Sequence, residues 1–381
     1  MGLEISKKDQ KWAEETLEKV YAKMEQVRER SARKIPFRSD GGIYDDHSDI
    51  HGLHWWTNGF WGGLMWQLYH ATKDSRYAEI ARYSEERLDL CFDQFTKLHH
   101  DVGFMWMPTA VADYRLNVSA DSLQRGLHAA TLLAGRFNLN GRFIRAWNEK
   151  WHGHDNVGWA IIDCMMNLSL LYWASEVTGD PRFAQIAQAH ADTALTAFIR
   201  PDGSVNHIVE FDPETGEMLC SHGGQGYGEG SSWTRGQGWG IYGFMISYRH
   251  THKTEYLDAA KRVAHYFMAN IPEDGRIPID FRMPAEPWYE DSTAAAIAAC
   301  GMLEIAREVP ELEKRVYTEG ALRLLRPLVA DRCDWDTLTD GILQKCSSSY
   351  SESEHEYNII YGDYYLVEAL LKLTNKDLWI W

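Results

Sequence analysis

A short signature recurs along this chain and constrains its fold more than any other feature. Thr72-Lys-Asp-Ser-Arg-Tyr77-Ala-Glu-Ile-Ala81 is similar to Thr178-Gly-Asp-Pro-Arg-Phe183-Ala-Gln-Ile-Ala187, and Thr251-His-Lys-Thr-Glu-Tyr256-Leu-Asp-Ala-Ala260 is a third copy. A degenerate fourth runs from Ser119 to Ala130. Each copy reads as a short turn, an N-cap and an aromatic at the start of an outer helix. Apolar residues recur with helical period between the copies. Segment 8–31 places Trp12, Leu17, Val20, Tyr21 and Met24 on one face. Similar patterns predict helices near 55–72, 75–97, 120–136, 157–177, 181–198, 233–249, 254–269, 291–307, 311–330 and 362–374, with a short one near 102–115. That makes about twelve. The one clear strand signal is a small β-hairpin near 204–219, turning at Asp212-Pro213-Glu214-Thr215-Gly216. The copies lie one or two helical hairpins apart, so about six hairpins closing on themselves would form an all-α (α/α)6 toroid. An open helical solenoid is the alternative, but it has no need of Trp/Gly-rich loops after the inner helices. No Pro/Ser/Gly linker divides the chain, so one domain over 1–381 is expected.

Charge narrows the partners. Lys+Arg is 39 and Asp+Glu is 55, a net charge of −16. Such a field repels phosphate, which argues against nucleic acid and anionic membranes. No stretch approaches the ~18 consecutive apolar residues of a membrane span. The N-terminal segment is a charged amphipathic helix with no apolar core of a signal peptide. The six cysteines are scattered, include no CxxC and read as free thiols in a reducing compartment, so a cytoplasmic location is expected. Trp (16) outnumbers Phe (13), as in a Trp-rich core or in a protein with stacking platforms for sugars or bases.

The densest motif is Gly223-Gly-Gln-Gly-Tyr-Gly-Glu-Gly-Ser-Ser-Trp-Thr-Arg-Gly-Gln-Gly-Trp-Gly240. Its glycines let backbone approach a ligand. It lacks the Gly-Lys-Ser/Thr of a phosphate loop and the strand and acidic partner of a dinucleotide fold. Trp233, Arg235 and Trp239 fall where a helix begins. A guanidinium there between two indoles suits a carboxylate-bearing ring; a packed glycine loop with a salt-bridged Arg is the plainer alternative. Asp163 stands alone in the apolar run Ile161-Ile-Asp-Cys-Met-Met-Asn167. A carboxylate inside such a helical run must be hydrogen-bonded or hold its proton near neutral pH, and a general acid needs the second. Asp101, in His99-His-Asp-Val-Gly-Phe104, is either a plain N-cap or the partner carboxylate of a sugar-cleaving pair. His47, His51 and His54 have metal-like spacing in a polar loop, and His152-Gly-His154-Asp155 looks like a surface turn. No GxSxG elbow is present.

These segments occur in order with Trp56-Thr-Asn-Gly-Phe-Trp61, Asp291-Ser-Thr and Gly362-Asp-Tyr-Tyr365. As a set they resemble the unsaturated glucuronyl hydrolases of glycoside hydrolase family 88, over roughly residues 10–375. The resemblance implies an (α/α)6 barrel acting on di- and oligosaccharides that lyases leave with a 4,5-unsaturated uronic acid at the non-reducing end. The family hydrates the C-4/C-5 enol ether, and the hemiketal then opens and expels the aglycone. Asp163 matches the family's catalytic acid, whose carboxylate then serves as base for water. Asp101 matches the second essential acid. Trp56, Trp147, Trp233 and Trp239 match or adjoin ring-stacking positions, and His100, His207, Gln225 and Arg235 match polar substrate contacts. No metal or organic cofactor is implied. Two segments depart from the family. Lys345–Glu354 stands where the family commonly has an aromatic contact before Gly-Asp-Tyr-Tyr, with Tyr350 as either its equivalent or an unrelated residue; Gly223 and Gly224 precede Gln225 where relatives can carry His. Rival readings are an unsaturated rhamnogalacturonyl hydrolase acting on pectin fragments, a sugar epimerase or ordinary glucosidase of the same fold, and a non-catalytic helical-repeat carbohydrate-binding scaffold.

Overall fold

A computed structural model of the chain describes residues 2–148, 150 and 153–381. Helix α1 (Lys7–Arg30) is followed by the ribbon β1 (Ser39–Asp40) and β2 (Ile43–Tyr44), then α2 (Gly59–Thr72) and α3 (Ser75–Leu88). Next come α4 (Val102–Trp106) and α5 (Ala112–Asn117), joined through a π turn at Met107–Val111 into one rod, and α6 (Ala120–Ala134). The pair β3 (Phe137–Asn138) and β4 (Phe143–Ile144) precedes β5 (Trp159–Ile161), α7 (Cys164–Thr178) and α8 (Arg182–Ala197). The remainder is β6 (Ile208–Phe211), β7 (Met218–His222), α9 (Thr234–Thr251), α10 (Thr254–Ala269), α11 (Ser292–Glu308), α12 (Glu311–Pro327) and α13 (Ile360–Leu373).

Helices α2, the α4–α5 rod, α7, α9, α11 and α13 form an inner ring, each packed on the next, with α13 packed back on α2. Helices α3, α6, α8, α10 and α12 lie against their hairpin partners, and α1 covers α13. This is the expected (α/α)6 barrel. An inner helix touches neighbours on every side, so it must be apolar or small all round. Residues Ser292 to Ala306 of α11 are all buried, with Ala at 294, 295, 296, 298 and 299. The outer α1 instead buries one stripe containing Ala13, Leu17, Val20, Met24 and Val27.

Several expected boundaries move. The 75–97 helix ends at Leu88 and continues as a 3-10 segment, Asp89–Lys97, with non-helical Gln94 inside it. The start of the 55–72 helix is a 3-10 turn, Trp56–Asn58. The 157–177 helix begins only at Cys164, because 159–161 forms strand β5. The hairpin lies a few residues further along than expected, with strands 208–211 and 218–222, and β5 adds a third strand in the antiparallel order β5-β6-β7.

The repeat acquires a physical meaning. Tyr77, Phe183 and Tyr256 are buried at the starts of α3, α8 and α10. The N-cap holds for Asp74, but the third copy has Lys253 there with no side-chain cap. What the four copies share is a left-handed residue ending the inner helix: Lys73, Val118, Gly179 and His252. Of these, Val118 is the costliest, since a β-branched side chain crowds the backbone at φ 54°. It is 73% exposed, so it has little packing to lose. Val118→Asn should therefore stabilise the fold by roughly 1 kcal/mol, because Asn tolerates this conformation. A urea-unfolding midpoint equal to or below that of the parent would show that the Val side chain contributes more than its strain costs.

Candidate active site

Asp101 and Asp163 each stand immediately before an inner helix, α4 and α7. Asp163 is thus at a strand-to-helix junction and not inside a helical run, a correction forced by the pairing of Ile161 with Ile208. Neither aspartate caps its helix through its side chain, so the plain N-cap reading of Asp101 fails. Asn167, one turn into α7, ties the two junctions together. Its Nδ2 donates to Asp101 Oδ1 at 3.3 Å and to the Asp163 carbonyl at 3.1 Å, while its Oδ1 accepts the Phe104 N–H at 2.8 Å. This crossing needs Gly103, where a Cβ would lie 2.5 Å from Asn167 Oδ1.

Burial controls the electrostatics. It pushes the Asp163 carboxyl up to about 7, against the pull of the Arg235 guanidinium. Asp101 is pushed well above the carboxylate range, first by burial and then by the neighbouring Asp163 charge. Asp101 is also approached by His99 Nδ1 and His100 Nε2, each at 3.4 Å. Burial holds His100 well below its ordinary value and lowers His207 to about 3, so both rings are neutral. The tautomer of His207 follows from its partner: Nδ1 accepts the Gln225 backbone N–H at 2.9 Å, leaving the proton on Nε2. That Nε2 lies 3.8 Å from Asp163 Oδ1. Gly224 makes the approach possible, because a Cβ there would sit 1.9 Å from His207 Nδ1. A buried carboxyl with its pKa near neutrality, beside a second carboxyl and a neutral imidazole N–H, can both give and take a proton.

Arg235 lies in the first turn of α9 with Trp233 as the residue before it. Its Nη1 donates to Asp291 Oδ2 at 2.7 Å and to the Ser347 carbonyl at 2.6 Å, and its Nη2 donates to the Ser348 carbonyl. The guanidinium is flanked by Trp233 at 4.5 Å and by Tyr361 at 5.5 Å. Trp239 is not the second flanking indole; one turn further along α9, it packs on Phe104 and Tyr365 in the ring interior. Trp233 also packs on His207, with centroids 4.2 Å apart. Trp56 packs on Tyr361 and Phe104 at 5.1 and 5.3 Å. Gln225 donates through Nε2 to the Ser348 carbonyl and accepts the Tyr350 N–H, so the glycine-rich loop and the Ser-rich segment are stitched together. Trp147 stands at the edge, 6.3 Å from Trp159 and next to Ala146, whose carbonyl accepts the His100 N–H. All ten expected residues thus belong to one contiguous assembly.

Sequence reasoning singled out none of Asn167, Tyr361, Asp291 and Arg136 as individual site residues. Arg136 raises the positive field at Asp101 while donating to the Ala146 and Arg145 carbonyls. The signals were present for two of them: Asn167 is four residues after Asp163, and Asp291 opens an Asp-Ser-Thr cap. Asp363 of the Gly-Asp-Tyr-Tyr motif serves the fold, accepting the Ile342 and Leu343 N–H groups. Among the described residues, donor groups close enough to share a cation occur as His99–His100–Asp101 and as Glu210–Cys220–His222. His47, His51 and His54 do not assemble into such a group, and His152 lies outside the described residues.

No protein-family model matches the chain. The unsaturated glucuronyl hydrolase of Bacillus sp. (strain GL1) is 38% identical over 360 residues, 91% of this chain and 93% of that protein. The unsaturated chondroitin disaccharide hydrolase of Streptococcus pneumoniae is 34% identical over 324 residues, 83% of this chain and 81% of that one. The crystal structure of the Bacillus enzyme matches with a TM-score of 0.88 at 35% identity, covering 95% of this chain and 96% of that one. A variant of the Streptococcus agalactiae enzyme complexed with dGlcA-GalNAc6S matches with a TM-score of 0.83 at 28% identity, covering 100% and 99% of the two chains. At this level of identity and coverage, the chain belongs to the unsaturated glucuronyl hydrolases, glycoside hydrolases built on the (α/α)6 barrel.

Proposed function

We propose that this enzyme removes the non-reducing-end 4,5-unsaturated uronic acid from lyase-generated, glycosaminoglycan-type oligosaccharides by hydrating the ring enol ether. One observation carries the mechanism: Asp163 is a buried carboxyl pushed up to about 7, so near neutral pH it is available as both acid and base. Protonated Asp163 gives its proton to C-4 of the substrate. Positive charge then develops at C-5 and is shared with the ring oxygen. Water adds at C-5 and passes its proton to the Asp163 carboxylate. The resulting hemiketal opens and the aglycone leaves. In this scheme Asp101, held by Asn167, positions Asp163, its water or a sugar hydroxyl. His100, His207 and Gln225 contact the sugar, Arg235 faces its carboxylate, and Trp56, Trp147, Trp233 and Trp239 shape the ring-binding walls. Unsaturated glycosaminoglycan disaccharides are favoured over pectin-derived ones because a relative of this chain is complexed with dGlcA-GalNAc6S.

Family membership sets the non-catalytic scaffold aside. No helix among the described residues is long and apolar enough to cross a membrane, and the cysteines are unpaired, with four of the six buried. Those free thiols support a reducing, cytoplasmic setting. In heavy water the released keto acid should carry deuterium at C-4, read by mass spectrometry and NMR. Direct hydrolysis at the anomeric carbon would instead release an enol that takes its deuterium from solvent on either face, so hydration through Asp163 should label one face of C-4, and an equal mixture of both faces would reject it. Faster loss of ultraviolet absorbance on pectin-derived than on glycosaminoglycan-derived disaccharides would move the substrate to the rhamnogalacturonyl class.

A further inference from the structure

We infer that the outer face of the β6–β7 hairpin is a binding site for one borderline-soft divalent metal ion of the zinc class, with Cys220, His222 and Glu210 as its protein ligands. The strand register builds the set. Glu210 and Cys220 are directly paired across the hairpin, and His222 is two residues beyond Cys220, so all three side chains share one sheet face. Their donor atoms already converge. Cys220 Sγ is 3.5 Å from Glu210 Oε2 and 3.6 Å from His222 Nε2, and those two are 2.6 Å apart.

A tetrahedral zinc with its usual bond lengths separates sulfur from nitrogen or oxygen ligands by ~3.5 Å and nitrogen from oxygen by ~3.3 Å. Two of the three observed separations therefore fit without adjustment. The third is short because a hydrogen bond now joins imidazole and carboxylate, and it opens by ~0.7 Å when a metal takes that place. Binding deprotonates the Cys220 thiol, whose proton leaves to the buffer. The donor chemistry selects the ion: one sulfur and one imidazole favour zinc, cobalt or copper over magnesium or calcium. His222 is further held by the Trp159 ring at 4.6 Å, and His154 borders it with centroids 6.0 Å apart. Three protein ligands leave a fourth position open to water or an added donor.

The place of this site in the fold gives it a consequence. Strand β6 begins directly after His207, and β7 runs from His222 into Gly223–Gln225, whose Gln225 N–H orients that same imidazole. A metal clipping β6 to β7 braces both segments that set His207. The proposal stands independently of the substrate assignment, because it rests only on these three side chains.

The test uses the full chain after treatment with a chelator and dialysis. Calorimetric titration with zinc chloride should give one ion bound per chain, and magnesium chloride should give none. Cobalt loading should produce a thiolate-to-metal charge-transfer band in the near ultraviolet. That band reports Cys220, since the other five cysteines are buried or half-buried. Cys220→Ser should abolish the band. Cys220→Ser and His222→Ala should each weaken zinc by more than the ~10- to 100-fold that loss of an outer-shell partner costs. Glu210→Gln, which keeps the hydrogen bond to the imidazole, should also weaken zinc and leave the melting temperature of the metal-free protein unchanged. No stoichiometric zinc uptake by the parent would overturn the site, as would zinc affinity and a cobalt band that survive both the Cys220 and His222 substitutions.

Discussion

Asp163→Asn should lose at least ~10²–10⁴-fold in kcat, the usual worth of a positioned general acid–base, and yet gain stability above neutral pH. The amide keeps the shape of the side chain but has no acidic proton for C-4 and no carboxylate to activate water, so substrate binding should remain measurable. The stability gain follows from linkage. The native Asp163 carboxyl has its pKa raised from 3.8 to about 7 by burial. An unfolded chain releases this proton at the lower pH and the native state holds it to the higher one. Its contribution to stability is therefore fully present below the unfolded value and is lost as pH rises through about 7. Asn has no such loss. The difference in stability between variant and parent should be small near pH 4, widen up to pH 7 and then level off at a few kcal/mol at most. In the parent, kcat should fall on the alkaline side as the acid form of Asp163 is lost. Rates and unfolding midpoints of both proteins across this pH range decide the matter: a variant with near-parental kcat removes Asp163 from the chemistry, and one that is inactive but less stable at pH 8 has lost fold as well as proton transfer.

The barrel was legible from the signature that recurs between its helical hairpins, and the structure shows why two rings of helices result. A run such as Ser292 to Ala306, buried throughout and rich in Ala, fits only a helix surrounded on all sides, and its alternation with striped helices such as α1 marks the two rings. Element boundaries were less legible where tertiary pairing overrides local period. The segment before Cys164 has the apolar content of a helix, but Ile161 is drawn into the sheet by Ile208, and that pairing is what delivers Asp163 to a helix start. The site divided along the same line. Residues inside dense motifs could be found from their motifs. The partners that give them their properties could not, because the contacts span the chain: Arg235 meets carbonyls 112 and 113 residues later, and Asn167 reaches back 66 residues to Asp101. The flanking of Arg235 by Tyr361 instead of Trp239 has the same origin. Positions 235 and 239 are one helical turn apart and share a face, but the ring closure brings α13 to the guanidinium and leaves Trp239 among Phe104 and Tyr365.

Arg235→Ala should lower kcat/KM by roughly 30- to several thousand-fold, the ~2–5 kcal/mol typical of truncating one partner of a buried charge pair. The chain carries −16, so an anionic uronide is repelled at long range and must be gripped by local donors. Arg235 is buried beside the Asp163 carboxyl, and three of its hydrogen bonds are committed to Asp291, Ser347 and Ser348. Of its five N–H groups two are therefore uncommitted, the second on Nη2 and the Nε–H, which is buried without a partner, and these are left for a ligand carboxylate. The side chain therefore has two duties, and two substitutions separate them. Arg235→Ala leaves Asp291 buried without its cation and releases the Ser347–Ser348 carbonyls, so both the melting temperature and kcat/KM should fall. Arg235→Lys keeps a cation for Asp291 and should recover much of the stability. An ammonium has no planar fork to reach Asp291, the carbonyls and a uronate together, so kcat/KM should stay more than about 30-fold down. Salt should affect this contact little, because the pair is shielded from solvent. If either variant keeps kcat/KM within about threefold of the parent, a difference of only ~0.65 kcal/mol, then Arg235 serves to brace the Ser-rich segment against Asp291 and the uronate carboxylate is held by other groups.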